Sequence, residues 1–319
     1  MKGWFIMFNI SDSLRLYLDN CRANGFSPAT VSSYSGVVAQ YAKFCENKKQ
    51  NPILPASVAA YKAYMANERG VKLGTVQYHI VILRGFFAYC LHTLRTVPEN
   101  PVLASMDIGK KQLSAERKPY GEKLMTEQEI KLLVTSEKPR YSHERLLLRN
   151  RAIVLLFVLS GLRNTELRTL SPKDLDFDAA QILVRFGKGG KTRYVPFPRA
   201  ARDAVNAYLA SDIRPASLPD TSPLFGVGKT AEEWHVMDRF SMSTLVKRYV
   251  ASATGHDGER SHALRHAYAS TLLTNGVPIQ NIQQTLGHSS IRTTERYAAM
   301  LAPRRASEDT TALMDSLFA

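Results

Sequence analysis

The chain has 319 residues, which is enough for two domains with separate cores, and it is 45% hydrophobic and 22% charged, an ordinary soluble composition. Its 42 Lys and Arg against 28 Asp and Glu give a net charge of +14. Such a balance indicates a polyanionic partner, nucleic acid first and an anionic membrane second, while a generally solvated basic surface is the plain alternative.

Membrane and secretion signals are not predicted. The first ten residues, MKGWFIMFNI, hold too short an apolar core for a secretory signal, and the longest apolar run, residues 152–159, is far short of a membrane span. Cys21, Cys45 and Cys90 form no Cys-x-x-Cys pair, so we interpret them as buried, reduced thiols. We therefore expect a cytoplasmic protein, or a nuclear one if the source is eukaryotic, with no membrane partner.

The first third of the chain predicts four amphipathic helices between residues 11 and 105. They are expected to start at about Ser11, at Ser27-Pro28, where Ser27 is a cap and Pro28 the first helical residue, at Pro55 and at Thr75. Their ends fall at glycines or at a proline, namely Gly25, Gly70 and the Asn100-Pro101 pair. The aromatic residues follow the helical spacing of a core, and no residue in this region is a catalytic candidate.

Periodicity disappears between residues 106 and 122, where the chain is polar, basic and interrupted by proline. This composition predicts a linker. Lys110, Lys111, Arg117 and Lys118 are candidates to cross a DNA backbone, although solvation is the default for such a run.

The remaining chain begins with a capping box, Thr-Glu-Gln-Glu, at Thr126. A strongly apolar helix is predicted at residues 149–159, followed by a sharp turn at Gly161 and a second helix that begins near Arg163. Arg163 therefore lies where a turn enters a helix, a place where backbone N–H groups also favour an anion.

A β-hairpin is predicted next. Residues 181–186 and 191–197 alternate as strands do, and Gly187-Lys188-Gly189-Gly190 lies between them as the turn. Helices are expected at residues 200–210 and 241–254. The irregular segment between them, residues 211–240, is interpreted as a surface insertion.

Residues 261–300 bring together the side chains with the most chemistry. His262 and Arg265 are three apart and share a helix face, and Gly276 with Pro278 ends that helix and starts another. A Leu-Gly-His turn then carries His288, and Tyr297 follows nine positions later. Two histidines, a permanently charged arginine and a tyrosine suit the attack of a phenol oxygen on a phosphodiester.

Arginines and a lysine are the candidates to stabilise such a reaction. Planar guanidinium groups, here those of Arg163 and Arg265, can bind the two non-bridging oxygens of a phosphodiester bidentately. Lys188, on a hairpin tip without bulky neighbours, could enter a DNA groove and protonate a leaving 5′ oxygen. The plain alternatives are a surface ion pair for each arginine and simple solvation for the lysine.

The spacing of His262 and His266 is also that of two metal ligands on one helix. No cysteine, acidic motif or third spaced histidine nearby supports a metal site, so we predict none. Helical geometry alone does not decide which of the two histidines would act on a phosphate.

Four motifs in the order GLRNTEL, GKGGKTRYVPF, HALRHAYASTLLTNG and LGHSSIRTTERY resemble the tyrosine site-specific recombinases, or phage-type integrases. The resemblance covers residues 125–300, and the helical pattern of residues 11–105 is similar to that family's core-binding domain. It implies a mainly α fold with a small β-hairpin or sheet, in two domains that close as a C-shaped clamp around duplex DNA. The expected division is a helical core-binding domain at 1–105, a linker at 106–122, a catalytic domain at 123–300 and a tail at 301–319.

The resemblance also implies a set of catalytic residues: Arg163, Lys188, His262, Arg265, His288 and Tyr297, the last as nucleophile. It selects His262 over His266, and it gives Glu166 a supporting role. Lys191 and Arg193, beside the hairpin turn, are expected to contact DNA.

The implied reaction forms a 3′-phosphotyrosyl link and releases a 5′ hydroxyl, with no nucleotide, metal or other cofactor. Recombination would require four protomers on two duplexes. The apolar end of the tail, which includes Leu313 and Phe318, is expected to dock on a neighbouring protomer, and an accessory protein is left open as a further partner.

Two other functions fit parts of the sequence. A type IB topoisomerase-like enzyme would use the same chemistry without strand exchange, and only joined products from two duplexes would distinguish the two. The other is a DNA-binding regulator that never cuts. In such a protein, replacing Arg163 would weaken only DNA binding or repression, because there is no cleavage activity to lose.

Overall fold

A computed structural model describes residues 8–115, 125–135, 146–185, 192–255 and 261–287. The chain divides into two compact units, residues 1–119 and 120–319. Over the described ranges both units are mainly helical, and the second also contains two small antiparallel sheets. The predicted mainly α class with a small sheet is confirmed.

The first unit packs four helices around one core: α1 (Ile10–Ala23), α2 (Pro28–Asn47), α3 (Pro55–Ala63) and α4 (Leu73–Tyr89). Helices α3 and α4 each continue into a turn of π-helix, Tyr64–Glu68 and Cys90–Leu94. The aromatic residues are core, as predicted, and the largest fully buried ones are Tyr41, Tyr61, Phe86 and Phe87. Cys21, Cys45 and Cys90 are free and buried, also as predicted.

Helix starts follow the predicted signals more closely than helix ends. The hydroxyl of Ser27 accepts the N–H of Thr30 at 3.2 Å, so Ser27 caps α2. The expected end of α4 at Asn100-Pro101 is wrong. Its helical continuation stops at Leu94, where Arg95 adopts a left-handed conformation (φ 54°), and Asn100 instead donates from its side chain to the carbonyl of Arg84 at 3.0 Å.

The structure differs from the predicted linker over residues 106–115. Met106 and Ile108 are buried in the core of the first unit, and the Ile108 N–H donates to the side-chain oxygen of Gln77 at 2.7 Å. A short helix, α5 (Lys110–Ala115), follows. These residues therefore pack as part of the first unit, because two apolar side chains in a polar stretch are enough to attach it.

The described part of the second unit contains seven α-helices and a short 3-10 helix, Pro172–Asp174. The α-helices are α6 (Glu127–Thr135), α7 (Leu147–Ser160), α8 (Asn164–Thr169), α9 (Arg199–Leu209), α10 (Arg239–Thr254), α11 (Ser261–Thr274) and α12 (Ile279–Leu286). Helix α7 is buried on nearly all sides and contacts α6, α9, α10 and α11. The predicted capping box is confirmed, because Thr126 and Glu129 exchange backbone and side-chain hydrogen bonds at 2.6 and 3.2 Å. None of the helices that the structure describes is long and apolar enough to cross a membrane.

The predicted strands form a sheet of three: β1 (Leu175–Asp176), β2 (Gln181–Val184) and β3 (Arg193–Pro196), antiparallel in that order. Val184 pairs with Arg193 at the end of the β2–β3 ladder. Strand β1 was not predicted, and the Gly-Lys-Gly-Gly turn at 187–190 lies outside the described residues.

The interpretation of residues 211–240 as a surface insertion is wrong. Leu224 and Phe225 are fully buried, and the carbonyl of Leu224 accepts the hydroxyl of Tyr208 at 2.8 Å. A second small sheet follows, formed by β4 (Gly226–Val227) and β5 (His235–Val236). A short apolar run among Pro, Ser and Gly thus fills the core of the second unit.

Candidate active site

The site begins at the turn between α7 and α8. Helix α7 ends at Gly161, whose φ of 62° reverses the chain, and Arg163 occupies the N-cap position of α8. Glu166, in the first turn of α8, accepts the backbone N–H of Arg163 at 2.8 Å. The predicted turn and helix start are confirmed, and together they place Arg163 and Glu166 side by side.

Glu166 lies at the centre of an ion-pair cluster, with only 2% of its side chain exposed. It accepts from Nη1 of Arg163 at 2.7 Å and from both terminal nitrogens of Arg193 at 2.9 Å each. Burial raises the pKa of Glu166, but the hydrogen bonds and charge of Arg193, together with the bonds from Arg163, outweigh it and lower the pKa to about 2. The carboxylate is therefore ionised at neutral pH.

Three arginines from distant parts of the chain meet at the C-terminal end of α12, where each donates to one of three consecutive carbonyl oxygens. The pairs are Arg193 Nε with Thr285 at 2.8 Å, Arg265 Nη2 with Leu286, and Arg163 Nη2 with Gly287 at 2.8 Å. The last carbonyls of a helix have no partner within the helix and carry partial negative charge, so guanidinium groups are suitable partners.

Arg265 is brought to this point by α11, and it is 4% exposed. Its Nη1 donates to the carbonyl of Gly161, so the same guanidinium contacts the α7–α8 turn and the end of α12. His262 lies one turn earlier on α11. The shared helix face predicted for these two residues follows from that spacing.

The two histidines of α11 have ring centroids 6.4 Å apart. Desolvation by the surrounding protein, followed by the positive charges of Arg265, Arg239 and Arg163, lowers the pKa of His262 below its ordinary value. Burial, with His262 and Arg265 nearby, lowers the pKa of His266 to about 4. Both rings are therefore neutral at pH 7, and no group of three or more metal-ligating side chains is formed within the described part of the chain.

This arrangement is suited to bind an anion. Arg163 and Arg193 share the single carboxylate of Glu166, which leaves an excess of positive charge. Because the guanidinium groups are anchored to backbone carbonyls, they hold their directions before any ligand arrives. A neutral imidazole near them can accept a proton, as the attack of a hydroxyl on a phosphodiester requires.

Several predicted site residues lie outside the described residues. Lys188, His288 and Tyr297 are among them, as are the expected DNA contacts Arg117, Lys118 and Lys191. The described chain ends at Gly287, one residue before His288. Of the six predicted catalytic positions, Arg163, His262 and Arg265 are therefore placed by the structure, and the other three stay predictions.

The expected DNA contacts that are described differ from one another. Lys110 and Lys111 are exposed on α5. Arg193, in contrast, has only 11% of its side chain exposed, and its guanidinium is engaged by Glu166 and Thr285. These contacts favour a role inside the protein, and the DNA contact at Arg193 stays a prediction. Strand alternation could have indicated the inner position, since Arg193 is two residues from the buried Val195.

A cluster of anchored arginines around a buried carboxylate lies on a mainly helical unit with a small antiparallel sheet, and its excess positive charge suits an anion such as phosphate. The chain matches the phage integrase family over residues 123–303 and the N-terminal SAM-like domain of phage integrases over residues 14–95. The chain belongs to the phage integrase family. The resemblance that the four motifs indicated is confirmed.

Individual relatives agree with this assignment. Tyrosine recombinase XerA of Thermococcus kodakarensis is 29% identical over 289 residues, which cover 90% of this chain and 89% of that protein. Tyrosine recombinase XerC of Syntrophus aciditrophicus is 32% identical over 246 residues, 74% and 73% of the two chains. The crystal structure of XerH site-specific recombinase in a post-cleavage complex with palindromic difH substrate shares the fold, with a TM-score of 0.72 at 18% identity over 96% of this chain and 85% of that one.

Proposed function

We propose that this protein is a site-specific DNA recombinase that cuts and rejoins duplex DNA through a 3′-phosphotyrosyl intermediate. The observation that carries the proposal is the convergence of Arg163 and Arg265 beside a neutral His262, in a chain whose curated relatives are tyrosine recombinases. Solved relatives include recombinases in complex with DNA substrates.

In the proposed reaction, the phenol oxygen of Tyr297 attacks the phosphorus of a scissile phosphate. The bond from phosphorus to the 5′ oxygen breaks, and Lys188 gives that oxygen its proton. The new 3′-phosphotyrosyl diester keeps the bond energy, so a 5′ hydroxyl of a partner strand can attack it and displace Tyr297. The reaction therefore consumes no nucleotide and uses no metal ion.

Arg163, Arg265 and His288 are the proposed ligands of the non-bridging oxygens. The two guanidinium groups are held by the carbonyls of residues 286 and 287, which supports their preorganisation for the charge of the transition state. His262 assists phosphate binding and takes the phenol proton, a role that the lowered pKa of its ring supports.

The first unit is the proposed core-binding domain, with Lys110 and Lys111 on α5 touching the DNA backbone. Its packing favours a boundary after residue 115 over the expected 105. The proposal also includes a catalytic domain at 123–300 and a tail at 301–319 that docks on a neighbouring protomer. The active assembly is a tetramer on two duplexes, located in the cytoplasm, with an accessory protein as a further partner.

A library of nicked duplexes with randomised sequence tests this function. A nick next to the scissile phosphate lets the short 5′-hydroxyl fragment diffuse away, so the covalent adduct accumulates and survives SDS. Sequencing the trapped DNA would identify the target site. Products that join two different duplexes would then distinguish strand exchange from simple relaxation.

Tyr297→Phe is the decisive variant. It should bind the selected duplex with unchanged affinity and form no SDS-resistant adduct, because the attacking oxygen is missing. Tyr194→Phe removes an exposed phenol of the same unit and serves as the matched control, which should form adduct normally. Adduct from Tyr297→Phe would refute the assignment of the nucleophile.

A further inference from the structure

We infer that Arg193 is a positioning residue of this site, which joins β3, α8 and the end of α12 and holds the catalytic groups in register. This inference rests on the proposed function for its catalytic consequence. It assigns Arg193 a role inside the protein, where the sequence had suggested a contact with DNA.

The hydrogen bonds of Arg193 use both edges of its guanidinium. Nη1 and Nη2 donate to the two carboxylate oxygens of Glu166, 27 residues away along the chain, in the bidentate geometry that arginine favours. Nε donates to the carbonyl of Thr285, 92 residues away. One side chain therefore connects a strand, the first turn of one helix and the last turn of another.

Gly287 shows how closely the chain wraps this side chain. Its φ is +61°, and a Cβ at this position would lie 3.0 Å from both Cδ and Nε of Arg193. The positive φ favours glycine there, and a Cβ would press on the Arg193 side chain, which would have to move by a few tenths of an ångström. Gly287 directly precedes His288 in the sequence.

Each element that Arg193 joins lies close in the sequence to a proposed catalytic residue: Arg163 precedes α8, Lys188 precedes β3 and His288 follows α12. Glu166 also binds Arg163, so Arg193 controls the carboxylate that orients that guanidinium. Strand β3 begins five residues after Lys188. Loss of Arg193 should therefore misplace several groups slightly, and a displacement of about 1 Å can lower a rate by about 100-fold.

A DNA contact would behave differently. Removing an arginine that neutralises a phosphate weakens binding to all sequences and lowers the slope of log K against log salt by about one. Arg199, on α9, is 89% exposed in its side chain and belongs to the same unit. Arg199→Gln therefore matches Arg193→Gln in chemistry and differs from it in burial.

The first arm of the test needs no DNA. Hydrogen exchange of the full-length protein should show faster exchange in the last turn of α12, residues 283–287, for Arg193→Gln and no change for Arg199→Gln. Thermal unfolding of each variant checks that it is folded. Equal exchange in the wild type and in folded Arg193→Gln would overturn the inference, whatever the protein does to DNA.

The second arm uses the duplex recovered by adduct selection. Arg193→Gln should form the covalent adduct 10- to 100-fold more slowly at saturating protein, with a Kd within threefold of the wild type and an unchanged salt slope. Arg193→Lys keeps the positive charge but loses the planar guanidinium. Its rate of adduct formation should lie between those of the wild type and Arg193→Gln. Gly287→Ala, which leaves Arg193 present and displaces it, should also lower the rate.

The outcomes separate the two proposals. A weaker Kd with a reduced salt slope would make Arg193 a DNA contact and overturn the inference. A wild-type protein that forms no adduct on any duplex would overturn the proposed function, and the exchange measurement would still decide whether Arg193 positions α12.

Discussion

The ring of Tyr268, on α11, packs so closely on Gly161 that a Cβ at residue 161 would lie 2.5 Å from the ring carbon Cδ1. The φ of Gly161 is +62°, and its carbonyl accepts a hydrogen bond from Arg265. The turn that presents Arg163 therefore requires glycine at residue 161, because any side chain there would clash with the ring of Tyr268.

Gly161→Ala should destabilise the fold by about 2–4 kcal/mol, because overpacking and a left-handed alanine both cost free energy. Urea unfolding measures the change. Gly276→Ala is the matched control: it also has a positive φ (80°), but no atom lies within 4 Å of its Cβ position. It should cost only about 1 kcal/mol, and equal losses at the two glycines would contradict the close packing.

Glu166→Gln should cost about 3 kcal/mol, since it leaves two largely buried guanidinium groups without their anion. Asp203→Asn removes the exposed partner of Arg199 and should change stability by less than about 0.5 kcal/mol. Both are measured as free energies of unfolding at pH 7. A loss at Glu166 as small as that at Asp203 would show that the cluster does not stabilise the fold.

The stability contributed by Glu166 should depend on pH. Its pKa is lowered from 4.5 to about 2 on folding, so the unfolded state takes up the proton first. The contribution is fully present above about pH 5 and declines as the pH falls from there to about 2. The difference in unfolding free energy between wild type and Glu166→Gln should shrink over that window, and a constant difference would contradict the shift.

The rate of adduct formation should not decline on its acidic side until the pH is below the ordinary histidine value of 6.5, because desolvation by the surrounding protein and the charges of three arginines lower the pKa of His262, although its side chain keeps contact with solvent. Below its folded pKa the ring is protonated and cannot accept the phenol proton. Single-turnover rates on the selected duplex from pH 5 to 8 measure this decline of the rate at acidic pH. His262→Gln should abolish the decline. A wild-type decline centred at or above 6.5 would contradict the assignment.

Phe225→Ala tests whether residues 211–240 belong to the core. Phe225 is fully buried and stacks on Tyr208 at a ring distance of 5.2 Å, so its loss should cost about 3–5 kcal/mol. Phe240→Ala removes a ring that is 80% exposed and should cost less than about 1 kcal/mol. Similar unfolding midpoints for both variants would restore the interpretation as a surface insertion.

Local signals predicted the helix starts well. Ser27 caps α2 and Thr126 caps α6 as expected, because a capping side chain reaches only two or three residues along the chain. The end of α4 was predicted from Asn100-Pro101 and lies at Leu94 instead. There the left-handed Arg95 stops the helix, and Pro98 follows three residues later, nearer to the end than the Asn100-Pro101 pair.

The order and chemistry of the motifs determined the family and the mainly helical class before any coordinates. Phosphodiester chemistry made Arg163 and Arg265 candidates, and the resemblance to the family added Glu166 and selected His262 over His266. Only the tertiary structure decided that Arg193 pairs with Glu166 and that three arginines meet on the carbonyls of residues 285–287. Their partners lie between 21 and 124 residues away, and contacts over such distances depend on how the helices pack, which no pattern of neighbouring residues records.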